Sequence, residues 1–135
     1  MAEPIKVVAG VILKNGKILC VQKGKTKYPY TSHKFEFPGG KVNFNETAEE
    51  ALKRELKEEL ELEIEIFGDL GTFVHFYPNL SVSLQGFLCG DDQHEPVLKE
   101  HISLQWLSVD QLHTLDWAAA DLPFVEILQQ MQNFE

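Results

Sequence analysis

Residues 40–62 read GKVNFNETAEEALKRELKEELEL, and their spacing constrains the rest of the chain. Thr47-Ala48-Glu49-Glu50 has the Thr-x-x-Glu form of a capping box, in which a hydroxyl and a carboxylate satisfy two N–H groups left open at a helix start. Leu52, Leu56 and Leu60 then recur along one edge, which predicts a helix running to about Leu60. At about 100° per residue, Glu55, Glu58 and Glu59 share an arc of about 100°. Ala48 and Ala51 lie on the same face, leaving room for a loop or ligand, while Glu50, Lys53, Lys57 and Glu61 face solvent. Two carboxylates about 5 Å apart at an effective dielectric near 20 repel by roughly 3 kcal/mol. Three beside an apolar edge call for a compensating cation, and Arg54 supplies a single charge. The residues by themselves read either as a solvated glutamate-rich helix with i,i+4 pairing or as a cation site. Oxygen-only donors suit Mg2+, with Mn2+ as a substitute, and Mg2+ keeps waters and shares its shell with phosphate oxygens.

Strand signals surround this helix. Apolar runs at Ile5 to Leu13 and Ile18 to Val21 flank Lys14-Asn15-Gly16-Lys17, and Asn-Gly between such runs predicts a β-hairpin. Residues 24–34, GKTKYPYTSHK, lack a period and read as a loop, followed by a short strand at Phe35 to Phe37 that Pro38-Gly39-Gly40 ends. Further β-type stretches lie near Ile64 to Ile66, Thr72 to Tyr77, Ser81 to Leu88 and Ile102 to Leu107. A linker is expected at Gly90 to Pro96, and a last helix at about Leu122 to Met131, begun by Asp121 and Pro123.

The 135 residues fit one domain spanning 1–135, and 44% hydrophobic with 24% charged residues is the composition of a globular chain. No apolar run is long enough for a membrane span, and the start MAEPIKVVAG lacks the marks of a signal peptide, so a cytoplasmic protein without a membrane partner is expected. Cys20 and Cys89, far apart in apolar runs, predict buried free thiols. Twelve Lys and Arg against 21 Asp and Glu leave a net charge of −9, which disfavours duplex nucleic acid as a partner. Residues 46–65 hold nine glutamates against three basic residues, so the acidity is concentrated in the helix and its exit. The sequons at Asn45 and Asn79 are formal matches only.

Written as a pattern, the opening stretch is Gly40, five residues, Glu46, seven residues, then Arg54-Glu55-Leu56-Lys57-Glu58-Glu59-Leu60-Glu61-Leu62. This resembles the Nudix box, Gly-x5-Glu-x7-Arg-Glu-(aliphatic)-x-Glu-Glu-x-Gly-(aliphatic), at every specified position except the final Gly, here Glu61. The departure touches the helix exit and removes no carboxylate. Phe35-Glu36-Phe37-Pro38-Gly39-Gly40-Lys41-Val42, Gln105-Trp106-Leu107 and Trp117-Ala118-Ala119-Ala120-Asp121-Leu122-Pro123 resemble the MutT-like branch of that family. The resemblance implies an α/β fold, an α/β/α sandwich around a mixed sheet. It also implies Mg2+-dependent hydrolysis of a nucleoside triphosphate to the monophosphate and pyrophosphate.

By the same resemblance, Glu55, Glu58 and Glu59 would hold metal, one of them activating water, and Arg54 would orient Glu55. The Gly40 carbonyl would be a further ligand, with Gly39 allowing close backbone approach, and Lys41 would lie near the phosphates. Glu100 would add a metal contact or serve as base, or else be an ordinary loop charge. Lys23 and Asp121 would contact the nucleotide, with Phe35 and Phe37 as apolar walls. Asp121 reads equally as the N-cap of the last helix, and Phe35 and Phe37 equally as core. His33, with Tyr28 to Tyr30, is a candidate loop contact, and the remaining histidines have no assigned role. The expected partner is a small-molecule nucleotide, bound by a monomer or homodimer. The substrate is either an oxidised nucleotide such as 8-oxo-dGTP or an ordinary pyrimidine triphosphate such as CTP. Alternatives are hydrolysis of a nucleotide sugar or dinucleoside polyphosphate, and a non-catalytic nucleotide-binding module.

Overall fold

The structure is a computed structural model that describes residues 3–91 and 94–131. Strand β1 (Ile5–Lys14) turns into β2 (Lys17–Gln22) through Asn15 and Gly16. Both turn residues have positive φ, 54° and 75°, as the mirror-image hairpin turn requires. The pair stays together only at Leu13–Ile18 and Lys14–Lys17 and then splays. Into the opening come β3 (Phe35–Glu36), paired to β2, and β4 (Gly39–Lys41), paired to β1, while the Gly10 N–H donates to the Pro38 carbonyl at 2.8 Å. The two glycines therefore do not end the sheet, as the turn-like sequence suggests. They continue it on the neighbouring strand.

Helix α1 (Ala48–Leu60) follows, then β5 (Ile64–Phe76), β6 (Ser81–Asp91), β7 (Ser103–Leu107) and α2 (Leu122–Gln130). β5 is one bulged strand where the sequence suggests two, with register shifts at Ile66/Gly68 and Asp69/Gly71 where glycines break the alternation. The expected linker at 90–96 begins late: Gly90 and Asp91 belong to β6, and residues 92 and 93 lie outside the described residues. Short 3-10 turns at Val109–Thr114 and Ala119–Asp121 carried no clear periodic signal. The β1–β6 pair is parallel and the other pairs antiparallel, so the sheet is mixed.

Alternation along β1 and β2 divides the core. Val8, Ile12, Leu19 and Val21 face α1 and meet Leu52, Leu56 and Leu60, while Ala9, Val11, Ile18 and Cys20 face α2 and meet Phe124, Val125 and Leu128. The result is a helix on each side of a mixed sheet, the expected α/β/α sandwich. Cys20 and Cys89 are buried free thiols, and burial pushes both up to about 12. Among the described residues no helix is long and apolar enough to cross a membrane.

Glu61 ends α1 at φ 56°, ψ 36°, the left-handed region where glycine is favoured. Its N–H reaches the Leu56 and Lys57 carbonyls and the Leu62 N–H returns to Leu56, so the closing hydrogen bonds form without a glycine. Glu61→Gly should raise stability by roughly 0.5–1 kcal/mol, since relief of the left-handed cost exceeds the added chain entropy. Urea denaturation measures it, and an unchanged or lower midpoint would show that the exposed Lys99–Glu61 ion pair, 2.9 Å, outweighs the strain.

Candidate active site

The box helix is fixed at its start by local bonds. The Thr47 hydroxyl accepts from the Glu50 N–H at 3.1 Å and the Glu50 carboxylate from the Thr47 N–H at 2.9 Å, completing the expected capping box. One and a half turns on, Arg54 grips Glu46 with two bonds, Nε to Oε2 at 2.6 Å and Nη2 to Oε1 at 3.0 Å. Its Nη2 also donates to the Lys41 carbonyl at 3.0 Å, tying the helix to β4. The guanidinium and the Asn43 N–H hold the Glu46 carboxyl below the usual range. Glu55 stands 3.7 Å from Arg54 Nη1, so the principal partner of Arg54 is Glu46 rather than the Glu55 suggested by the resemblance.

The three helix glutamates have different surroundings. Glu55 has a side chain 15% exposed and Glu58 one that is 61% exposed, paired to Arg54 at 3.2 Å. Glu59 is half-buried, and its Oε1 is fully enclosed without a hydrogen-bond partner. Burial first, then the charges of Glu55 and Glu100, the Glu55 carboxylate as acceptor for the protonated form and the charge of Glu36 push the Glu59 carboxyl up to about 8. Gly39 and Gly40 of β4 pass close to β1 and to Glu55. A Cβ on Gly40 would collide with the Glu55 carboxylate, and one on Gly39 with the Val8 carbonyl and Ala9 Cα.

Several of these residues line a cleft of about 870 Å³. Glu55, Glu59, Glu100, Gly40 and Lys41 line it, as do Lys23, Phe37 and Asp121. Glu58 and Arg54 do not, although Glu58 shares the helix face. Phe37 is core as well as wall, 2% exposed with its ring 4.6 Å from that of Trp117. Phe35 is also buried and packs in the α2-side core. Asp121 is buried but does not cap α2; its Oδ2 accepts from the Phe37 N–H at 2.9 Å. Burial and the charge of Glu36 raise it well above the usual carboxylate range, against that N–H and Lys23. His33 is exposed and outside the cleft lining, whereas Tyr28 and Tyr30 lie within it.

Sequence reasoning passed over Glu36 and His101. Glu36 lines the cleft with Lys23 Nζ at 3.9 Å and His101 Nε2 at 3.0 Å. The only sequence signal was a charged residue between Phe35 and Phe37, which alternation turns away from the core. Tyr77 was also missed. Its ring stacks on Tyr30 at 4.7 Å and its hydroxyl accepts from the Ala120 N–H at 3.0 Å, joining the 24–34 loop to the Asp121 segment.

Among the described residues no three His, Cys, Asp or Glu side chains stand together as a group that could hold a metal ion by themselves. The donors nevertheless fit a hard divalent cation. All are oxygens, Glu59 Oε1 lacks a partner, and the missing Cβ of Gly40 brings backbone against Glu55. A cation that shares its shell with water and phosphate needs no complete protein cage.

Two outcomes follow from this geometry. Gly40→Ala should retain the fold but displace Glu55 and weaken Mg2+ binding, whereas Gly39→Ala, which meets backbone, should destabilise by about 3 kcal/mol or more. Thermal melts with and without Mg2+ separate the two, and equal behaviour would refute the cradle. For Glu59 the folded state holds its proton to about pH 8 while the unfolded chain releases it near 4.5. Without divalent cations, stability should therefore fall as pH rises from about 4.5 to about 8. Glu59→Gln should raise the Tm at pH 8 and leave it nearly unchanged at pH 4; the reverse pattern would contradict the crowding of acids at this residue.

A family model for the NUDIX domain matches residues 4–127. The 8-oxo-dGTP diphosphatase of Buchnera aphidicola subsp. Schizaphis graminum is 33% identical over 129 residues, 96% of each chain. The CTP pyrophosphohydrolase of Escherichia coli (strain K12) is 30% identical over 131 residues, 95% of this chain and 93% of the other. The solution structure of the E. coli ORF135 protein aligns with a TM-score of 0.82 at 28% identity, over 98% of this chain and 96% of that one. With its capped acidic helix set against the glycine strand, and with this likeness along nearly its whole length, the chain belongs to the NUDIX domain family and is a Nudix hydrolase.

Proposed function

We propose that the chain hydrolyses (d)NTPs, adding water across the P–O–P anhydride linkage between the α and β phosphoryl groups to give the monophosphate and pyrophosphate, with Mg2+ as cofactor. The observation that carries this reading is the unpartnered, enclosed oxygen of Glu59 in the lining of a cleft that also takes in Glu55, Gly40 and Asp121. The relatives named for 8-oxo-dGTP and CTP support a triphosphate substrate over a nucleotide sugar. The setting is the cytoplasm.

Glu55, Glu59 and Glu100 with the Gly40 carbonyl are the proposed metal donors, and Glu58 joins them from the exposed flank of α1. A divalent cation held there supplies charge neutralisation for the polyphosphate and a lowered pKa for water. Burial and the neighbouring charge of Glu55 raise the Glu59 carboxyl, so in the cation-free site Glu59 keeps a proton next to Glu55. Once that proton is displaced, their carboxylates and Glu100 are bases within the same wall, able to take a proton from attacking water. Arg54 keeps helix and strand in register through Glu46 and the Lys41 carbonyl. Lys41 and Lys23, both in the lining, face the phosphates from the rim. Asp121, whose carboxyl burial favours in the neutral form, contacts the nucleoside and excludes water at the far end.

A panel of nucleoside triphosphates assayed for free pyrophosphate tests the reading. Release should require Mg2+ or Mn2+, stop with EDTA, and fall on the order of 10²-fold or more in Glu55→Gln and Glu59→Gln. Turnover that survives EDTA would overturn it. Tight nucleotide binding without turnover would favour a binding module instead.

A further inference from the structure

We propose that His101 is a positioning residue, whose Nε2 holds the Glu36 carboxylate in the cleft as acceptor for a hydrogen-bond donor on the bound nucleoside. The inference rests on the nucleotide reading above and adds a residue pair to it.

Glu36 is an awkward place for a carboxylate. Its neighbours Phe35 and Phe37 are buried in the α2-side core, and alternation turns Glu36 the other way, into the cleft, with a side chain 20% exposed. Its negative charge is felt at Glu59 on one side and at Asp121 on the other, so it lies within reach of both ends. A neutral residue there would relieve both repulsions.

The support on Glu36 is equally specific. The His101 side chain is 6% exposed, with Nε2 3.0 Å from Glu36 Oε2. The segment is pinned by the Ile102 N–H on the Gln22 carbonyl at 2.9 Å and by the Ser103 hydroxyl on the Gln22 side chain at 2.7 Å. Nδ1 is buried and has no partner. The fold thus leaves one ring nitrogen unsatisfied while keeping the other on Glu36, a costly arrangement that packing alone does not require. A carboxylate offers about four acceptor sites. His101 occupies one, and Lys23 at 3.9 Å is beyond hydrogen-bond length, so acceptor capacity remains toward the cleft.

With the phosphates at the Glu59 end, the group brought to Glu36 is an O–H or N–H donor of the nucleoside. A sugar hydroxyl and an exocyclic amino group share that chemistry. The test is calorimetric binding of α,β-methylene triphosphates of cytidine, 2′-deoxycytidine and uridine, in Mg2+, to wild type, Glu36→Gln, His101→Ala, His101→Gln and the Glu36→Gln/His101→Ala double variant. Glu36→Gln should weaken binding about 10- to 100-fold and His101→Ala about 5- to 10-fold. His101→Gln, which returns an N–H near the Nε2 position, should come within about threefold of wild type. In the Glu36→Gln background His101→Ala should add nothing further, because the histidine acts through the carboxylate. For the natural triphosphates the loss should fall in KM rather than kcat. A Glu36→Gln loss confined to the riboses identifies a 2′-hydroxyl, and one confined to cytosine identifies the amino group. His101→Ala binding like wild type, His101→Gln no better than His101→Ala, or additive losses in the double variant would overturn the proposal. Should His101→Ala fail to fold, the Glu36→Gln and His101→Gln pair decides alone. Analogue binding by wild type without pyrophosphate release from natural triphosphates would sink the hydrolase reading instead and leave the positioning claim standing on affinity.

Discussion

Like charges held together at one end of a cleft govern this structure. Glu36, Glu55 and Glu100 all raise the cost of charging Glu59. Domains of this size are stable by only about 5–15 kcal/mol in total, so the arrangement persists only because the scaffold fixes it from several directions. The Thr47–Glu50 capping box sets where α1 begins. The Arg54–Glu46 grip sets how α1 meets the loop before it, and Leu52, Leu56 and Leu60 lock the opposite edge into the core. None of these contacts needs to touch a substrate. Together they prevent the carboxylates from escaping one another.

The sheet supplies the other half of the constraint. Because β1 and β2 part after two residue pairs, β3 and β4 enter the gap and bring backbone directly under the acids. Only glycine fits there: the space a Cβ would take at Gly39 belongs to the Val8 backbone, and at Gly40 to Glu55. The opening that admits the strands also creates the cleft. Val7 and Ala9 of β1 and Leu84 of β6 line it, so the splay of one hairpin sets both the depth of the site and its position beside α1.

What was legible in the sequence was local. The hairpin at Asn15-Gly16, the capped helix and its apolar edge are encoded within a few residues and came out as expected. The short strand at Gly39–Lys41 was not legible, because Pro-Gly-Gly has the chemistry of a turn and only the distant β1 makes it a strand. Asp121 had the position of an N-cap, yet its carboxylate is spent on Phe37, 84 residues away in sequence. Helical periodicity placed Glu58 with Glu55 and Glu59 on one face. Its side chain is exposed and paired with the Arg54 guanidinium, which no wheel can show. Glu36 and His101 stayed hidden for the same reason: their meaning lies in a pairing across 65 positions.

A chain of net charge −9 offers an unfavourable field to a polyphosphate, and the cleft answers this locally. Lys23, Lys25, Lys27 and Lys41 all line it, four of the twelve basic residues. Three of them sit on or next to the 24–34 loop, which the Tyr30–Tyr77 stack and the Thr26 side-chain bonds to Tyr28 and Thr31 hold in place. Basic and acidic side chains therefore line one cleft. On the function proposed above, a divalent cation would relieve the acidic side chains and a polyphosphate the basic ones, so each would make the other's binding more favourable. The acidic field over the rest of the surface then disfavours anions that arrive without a cation. On that proposal affinity for nucleotide and affinity for metal would be one coupled quantity, set by how rigidly Arg54, Gly40 and the lysine loop hold the two sets of charges.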